Sequence, residues 1–202
     1  MMTSMVYLKE SATGKLVEAE LYDEVSDTHL AMWDSTWVPA MRAHRARTQT
    51  ASPEDHHWDW RRKANAWRPM LGYRSFAVVC KCELQGMMLA SDFQSARLAS
   101  QFGKPLVYVE YVATAPWNRP EVQKPPRYVG AGGVLVDAAI QLSLDSHFHG
   151  RIGLHSLPQA EDFYRRKCGM TELGQDFSHE NLMYFEMTEE QAKEFRRKRG
   201  QK

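Results

Sequence analysis

Between Lys15 and Val25 the apolar residues Val17, Ala19 and Leu21 alternate with charged ones, the period-two pattern of a half-exposed strand. Ser26 and Asp27 then offer an N-cap, and Leu30, Trp33, Trp37 and Met41 recur on roughly one face of a helix. Pro39 is placed to kink or divide that helix. A second helix start follows, with Ser52 to cap, Pro53 at the first helical position, and Glu54 and Asp55 at the positive end of the dipole. It presents Trp60, Ala64 and Trp67 together and stops before Pro69.

After Gly72 the period changes. Tyr73 to Cys82 and Leu84 to Ser91 read as two strands joined by a tight turn. Leu106 to Thr114 is an almost continuous apolar run, the pattern of a strand buried on both faces. A proline-rich loop carries Pro116, Pro120, Pro125 and Pro126. The pattern then predicts a helix from about Gly132 to Ser146, with Leu135, Ala138, Ala139 and Leu142 along one stripe. A strand at Arg151 to Leu157 and a helix near Gln159 to Lys167 follow, and the chain returns as strand through Glu186. Thr188 and Gln191 stand in capping-box spacing before a basic helical segment. These elements make one α/β domain over residues 1–187 and a basic C-terminal helix or tail over 188–202.

Composition narrows the picture only by exclusion. Of 202 residues 43% are hydrophobic and 25% charged, as in ordinary globular proteins, and no apolar run has the length of a membrane span. A formal net charge of +1 argues against nucleic-acid binding by bulk charge. Three cysteines, and an N-terminus without a basic region leading into an apolar one, suit a reducing compartment, so a cytoplasmic protein with no membrane partner is expected.

The chemistry concentrates in Arg127-Tyr128-Val129-Gly130-Ala131-Gly132-Gly133, between a buried strand and a helix. Small residues let a ligand approach the backbone, and the helix start aims unpaired N–H groups and a positive dipole end at a phosphate. By itself a Gly-x-Gly-Gly reads as a tight turn with a close helix–strand contact. In this context Arg127, Gly130 and Gly132 match the Gln/Arg-x-x-Gly-x-Gly/Ala loop of the GCN5-related N-acetyltransferases, which the chain resembles. Val112-Ala113-Thr114-Ala115-Pro116 is similar to that family's splayed fourth strand. Ala160, Phe163-Tyr164 and Cys168-Gly169-Met170 resemble its later helix and turn. A dinucleotide fold would need its glycines in the first strand–helix turn, and a nucleotide P-loop would end in Gly-Lys-Ser/Thr; neither pattern occurs.

The resemblance implies a central mixed sheet of about six to seven strands flanked by helices, with acetyl-CoA as cofactor. It implies that Val112, Ala113 and Thr114 hold the pantetheine chain, and that Arg127 through Gly133 hold the pyrophosphate. Two departures stand out. Leu157 occupies the place of an asparagine that contacts the cofactor in many members, and the spacing from Tyr164 to Gly169 is one residue longer than the commonest form. The stretch between Pro116 and Arg127 is also longer than usual, and serves as a lid, as part of the acceptor pocket or as a surface excursion.

The resemblance makes Tyr164 the acid for the departing thiolate; the competing reading is a packing role. Glu110 is the candidate base, a carboxylate inside an apolar strand whose burial would raise its pKa, on the same side as Tyr108, Val112 and Thr114. A structural salt bridge is the competing reading. His155 on the next strand, and Trp33 in the first helix, are candidates on the substrate side; the competing readings are a histidine hydrogen-bonded in the core and a tryptophan packed there. No metal site is expected: Cys80 and Cys82 lack a second pair, and His147 and His149 suit a helix C-terminus for dipole reasons. The run Arg196-Arg197-Lys198-Arg199 suits RNA, an acidic partner or plain solvent. The expected activity is N-acetyl transfer from acetyl-CoA to a primary amine by direct attack in a ternary complex. A small-molecule amine, a protein amine or aminoacyl-tRNA is the acceptor, and a homodimer is admitted. The alternative is an inactive acyl-CoA-binding sensor.

Overall fold

A computed structural model describes residues 2–48, 55 and 58–200. Among these described residues nine strands form one mixed sheet in the order β6-β1-β2-β3-β4-β5-β7-β9-β8. They are β1 (Thr3–Glu10), β2 (Leu16–Tyr22), β3 (Tyr73–Cys80), β4 (Glu83–Ser95), β5 (Pro105–Thr114), β6 (Tyr128–Val129), β7 (Ile152–Ser156), β8 (Thr171–Asp176) and β9 (Leu182–Met187). The helices are α1 (Asp27–Met32), α2 (Val38–Thr48), α3 (Trp60–Trp67), α4 (Ala131–Asp145) and α5 (Glu189–Gly200), with π-helical turns at Trp33–Trp37 and Phe163–Cys168. The mixed sheet and flanking helices agree with the expected class, with more strands than the six to seven expected. Among the described residues no helix is long and apolar enough to cross a membrane.

Two compact units divide the chain: 1–89 with 112–135, and 90–111 with 136–202. In the first, β1 pairs antiparallel with β2 and β2 with β3. β1 has no counterpart in the sequence reading because its alternation is erased: Met5 and Tyr7 are apolar yet exposed, while only Leu8 is fully buried. Lys81 and Cys82 both take positive φ, 50° and 60°, and form the tight turn expected between β3 and β4. Cys82 therefore sits in the turn and is exposed, instead of sharing a strand face with buried Cys80.

Ser26 caps α1 as expected: its side chain accepts from His29 N–H, and the His29 ring accepts from Ser26 N–H. The helix does not break at Pro39. It widens into the π turn just before, where Thr36 Oγ1 donates to the Met32 carbonyl at 2.6 Å. The first turn of α2 then accommodates a proline that has no N–H to give. Trp37 is carried inward, and its indole N–H donates to the Leu84 carbonyl at 3.0 Å. α3 begins at Trp60, capped by Asp59, and buries Trp60, Ala64 and Trp67 as the pattern predicts. The expected start at Ser52, Pro53 and Glu54 lies outside the described residues.

In the second unit β7 pairs parallel with β5 over Val107–Val109 and Ile152–Leu154, and antiparallel with β9. The return to Glu186 is a hairpin, β8 against β9, where a single strand was expected. α4 carries more than the expected stripe. Val134, Leu135, Val136, Ala138, Ala139 and Ile140 are all buried, a wider apolar face than one stripe, while Asp137, Gln141, Leu144 and Asp145 form the open face and Leu142 is only half-buried. α5 opens with the capping box expected of Thr188 and Gln191 and buries Ala192 and Phe195. Its basic run is engaged within the protein: Arg196 with Asp137, Arg197 and Lys198 with Glu194, and Arg199 over the Phe195 ring.

Candidate active site

The glycine-rich loop belongs to the first unit. Tyr128 and Val129 add a two-residue strand to the edge of β1, Lys9 opposite Val129 and Glu10 opposite Tyr128. The Arg127 carbonyl accepts from Ser11 N–H at 3.0 Å, which extends the attachment. Gly130 then takes φ +112°, a conformation that residues with a Cβ rarely adopt, and its carbonyl accepts the first helical bond from Val134. The N–H groups of Ala131, Gly132 and Gly133 are thereby those a helix start leaves without an intrahelical acceptor. Gly132 has no side chain to cover them, and Gly130 and Gly132 remain partly accessible. The Arg127 guanidinium pairs with Glu83 at 2.5 Å and lies 5.3 Å from the Tyr128 ring centroid. Tyr128 itself is buried, so of its groups only backbone is available to a ligand.

A buried amide network that the sequence reading missed holds this loop in place. Gln85 has no exposed surface. Its Oε1 accepts from Trp117 Nε1 at 3.0 Å and Asn118 Nδ2 at 2.9 Å, while its Nε2 donates to the Glu83 carbonyl at 3.1 Å. Asn118 Oδ1 in turn accepts from Tyr128 N–H at 2.9 Å, and the Trp117 carbonyl accepts from Arg127 N–H at 2.8 Å. Pro116–Asn118 is thus an anchor, and the exposed part of the proline-rich stretch begins after Arg119. Arg119, itself buried, ties the end of β5 through its Nε, which donates to the Thr114 carbonyl at 2.7 Å, and pairs with Asp55 at 2.8 Å. Val112 and Thr114 are half-buried on β5, and Ala113 is buried between them. A Cβ on Gly86 would stand 2.9 Å from Leu135 Cδ1 and 3.4 Å from the Ala113 carbonyl, so a side chain there would require the end of Leu135 to shift. Trp33 sits half-buried in the π turn, and lines a groove of about 290 Å³ with Trp37, Met41, Arg42, Arg45 and Trp58 among others.

Glu110, His155 and Tyr164 belong to the second unit. Glu110 accepts a hydrogen bond from Ser91 Oγ at 2.7 Å, and burial raises its pKa above the usual carboxylate value against that bond. The structure shows no salt bridge to it among the described residues. His155 is enclosed by hydrogen bonds: its Nδ1 meets the Tyr108 hydroxyl at 2.5 Å and its Nε2 meets Asp176 Oδ2 at 3.0 Å. One ring face stacks on His179 at 4.0 Å and 4°, and the Tyr184 ring centroid lies 4.7 Å away. Burial pulls the His155 pKa down to about 4. Asp176 is held well below the usual carboxylate range, first by Arg97 and then by Ser178. Tyr164 is almost fully buried against Phe163 and Phe185, and desolvation pushes its pKa up. Phe185 and Tyr184 alternate along β9, so Tyr164 lies on the sheet face opposite the His155 group.

Asp176 and His179 gave no signal in the sequence because a hairpin turn, with no motif of its own, delivers them. With His155 they place ligand-type atoms within 4.8 Å of one another. Their contacts are those of a hydrogen-bond network: His155 Nε2 at 3.0 Å and His179 Nδ1 at 3.2 Å both face Asp176 Oδ2, which Arg97 also pairs. His147 and His149 take φ of 59° and 58° in the turn that leaves α4, where His149 approaches Glu189 at 3.7 Å.

No protein-family model and no curated protein matches the chain. Solved structures do. FeeM, an N-acyl amino acid synthase from uncultured soil microbes, superposes with a TM-score of 0.54 at 12% identity, over 87% of this chain and 94% of that one. PaiA N-acetyltransferase from Thermoplasma acidophilum, in complex with coenzyme A, gives 0.53 at 11% identity, over 84% and 98%. The chain has the GNAT fold. Mycobacterium smegmatis RimJ in complex with CoA-disulfide, at 0.50 and 15% identity over 94% and 88%, has that fold as well. Within the GNAT fold the loop before α4 and the Tyr128–Val129 edge strand are the parts whose local geometry suits an anion.

Proposed function

We propose that the protein is an N-acetyltransferase that moves an acetyl group from acetyl-CoA to a primary amine by direct attack in a ternary complex. The observation that carries this reading is the start of α4: three N–H groups at the positive end of a fifteen-residue helix, reached through a glycine at φ +112° and braced by Gln85 and Asn118. Arg127 through Gly133 hold the pyrophosphate, with Tyr128 and Ala131 contributing backbone. Val112, Ala113 and Thr114 lie along the pantetheine chain. Acetyltransferases with this fold that are solved with coenzyme A or its disulfide, PaiA and RimJ, support the choice of cofactor.

In the reaction Glu110 removes one proton from the ammonium, the amine nitrogen forms the new C–N bond as the C–S bond breaks, and the second proton shed by the nitrogen passes to the leaving sulfur, so that ammonium, thioester and carboxylate become amide, thiol and carboxylic acid. The raised pKa of Glu110 brings it closer to that of the proton it takes. Tyr164, buried against Phe163 and Phe185 on the other sheet face, keeps the packing role that competes with the acid reading, and no proton donation is assigned to it. Most of the acceleration comes from holding amine and thioester together.

The test is Gly132→Asp. A carboxylate at a helix start favours the helix through its dipole but repels a pyrophosphate at the same N–H groups. Calorimetry is expected to show wild-type binding of coenzyme A at micromolar concentration and at least a tenfold loss in the variant, about 1.4 kcal/mol, with the melting temperature of the free protein unchanged. Equal affinity in both proteins would sink the assignment. Binding without transfer to any amine, peptide or aminoacyl-tRNA pool would replace the enzyme by a sensor.

A further inference from the structure

The side chains around His155 form a directed chain of hydrogen bonds. Asp176 stays ionised because Arg97 pairs with it and Ser178 donates to Oδ1 through both its hydroxyl and its N–H, at 2.6 and 2.9 Å. An ionised carboxylate only accepts, so the His155 nitrogen that faces it, Nε2, carries the ring proton. The ring is neutral, hence Nδ1 has a lone pair and the 2.5 Å contact with Tyr108 is a bond donated by the phenol. The ring cannot turn out of this arrangement, stacked on His179 and bounded by Tyr184. Gly153 opposes Tyr108 across the β5–β7 ladder, and a Cβ there would stand 2.7 Å from the Tyr184 hydroxyl. The tyrosine cluster therefore depends on a residue without a side chain.

With its proton committed to His155, the Tyr108 oxygen has only lone pairs to offer. Glu110 lies two residues along β5 on the same face, and its Oε1 already accepts from Ser91. The second carboxylate oxygen adds another acceptor. Two groups that accept and cannot donate, side by side on one strand, complement a cation rich in N–H and repel a carbonyl or carboxylate.

We infer that Tyr108 and Glu110 together receive the primary ammonium of the acceptor, with His155 and Asp176 as positioning residues that aim the Tyr108 proton away from it. This rests on the acetyltransferase reading above and adds to it the group that binds the amine. Glu110 takes one proton, so that R–NH3⁺ and carboxylate become R–NH2 and carboxylic acid, while Tyr108 accepts from a second N–H and keeps the nitrogen lone pair free for attack.

Two measurements on the full chain test it. Long-range ¹H–¹⁵N correlation of His155 at neutral pH is expected to show the Nε2–H tautomer, and Asp176→Asn to convert it wholly or partly to Nδ1–H. Acetyl transfer from acetyl-CoA to n-butylamine, read as thiol release, is expected to show an amine KM raised about tenfold in Tyr108→Phe. The KM for acetyl-CoA should not change. An Nδ1–H tautomer in the wild-type protein, no turnover of n-butylamine, or a Tyr108→Phe amine KM equal to wild type overturns the inference. Failure of the wild-type protein to bind coenzyme A in calorimetry overturns the acetyltransferase reading instead, and the tautomer result is independent of that.

Discussion

His155 is a core histidine hydrogen-bonded through both ring nitrogens, the reading that competes with an acceptor-side role for a histidine on this strand. Its side chain is 4% exposed and neutral, with both nitrogens used inside the protein, so it does not touch an acceptor directly. The consequence is a pH effect with a definite sign. The free imidazole titrates near 6.5 and the folded one at about 4, so between those values the unfolded chain binds a proton that the folded chain does not. Stability is therefore lost as pH falls through that window, by at most about 3 kcal/mol for a gap of this size. His155→Gln titrates nothing there. Urea unfolding at pH 7 and at pH 5 is expected to show a smaller difference between the two conditions for the variant than for wild type. An equal difference would place the acid sensitivity elsewhere.

At the scale of elements, caps and bulges decide where helices begin and which way they face. The Thr188–Gln191 box is reciprocal: Gln191 Oε1 accepts from Thr188 N–H at 2.9 Å, and Thr188 Oγ1 accepts from Gln191 N–H at 3.3 Å. Gln191 Nε2 also donates to Thr171 Oγ1 on β8, which ties α5 to the hairpin that carries Asp176. Thr188→Ala is expected to cost about 1 kcal/mol in denaturant unfolding and to speed hydrogen exchange in the first turn of α5. Unchanged protection there would show that Ala192 and Phe195 alone hold the helix. Elements were also the level at which the sequence was most readable. α3 buries the three residues its pattern names, and β3, β4, β5, α4 and β7 lie within a few residues of where alternation, apolar runs and glycine turns put them. The exceptions have local causes. Exposed Met5 and Tyr7 hide β1, and β6 is only two residues long, too short for any periodicity. The π turn at Trp33–Trp37 comes from backbone hydrogen bonding that no side-chain pattern announces.

For the whole molecule, the fold couples ligand binding to stability. A ligand that binds only the folded chain stabilises it by RT ln(1 + [L]/Kd), about 2.7 kcal/mol at a hundredfold excess over Kd. Coenzyme A is therefore expected to raise the thermal midpoint of wild-type protein by several degrees, roughly 2–4 °C per kcal/mol for a chain of this size, and to leave that of Gly132→Asp in place. A shift of equal size in both proteins would mean that coenzyme A binds away from the start of α4.

The sequence by itself determined the order of most elements, the mixed α/β class and the glycine-rich loop before α4. Those depend on local spacing: alternation along a strand, a cap, glycines before an apolar helix. Only the tertiary structure decided what surrounds that loop and the second group of candidates. Gln85 meets Trp117 and Asn118 across 32 and 33 positions of chain, Asn118 meets Tyr128 across 10, and Asp176 and His179 reach His155 through a hairpin. A buried glutamine or an aspartate in a turn is an ordinary residue until packing removes its water and supplies one partner in its place. The roles of Tyr108, His155 and Asp176 arise in that replacement, which is why no motif in the chain marks them.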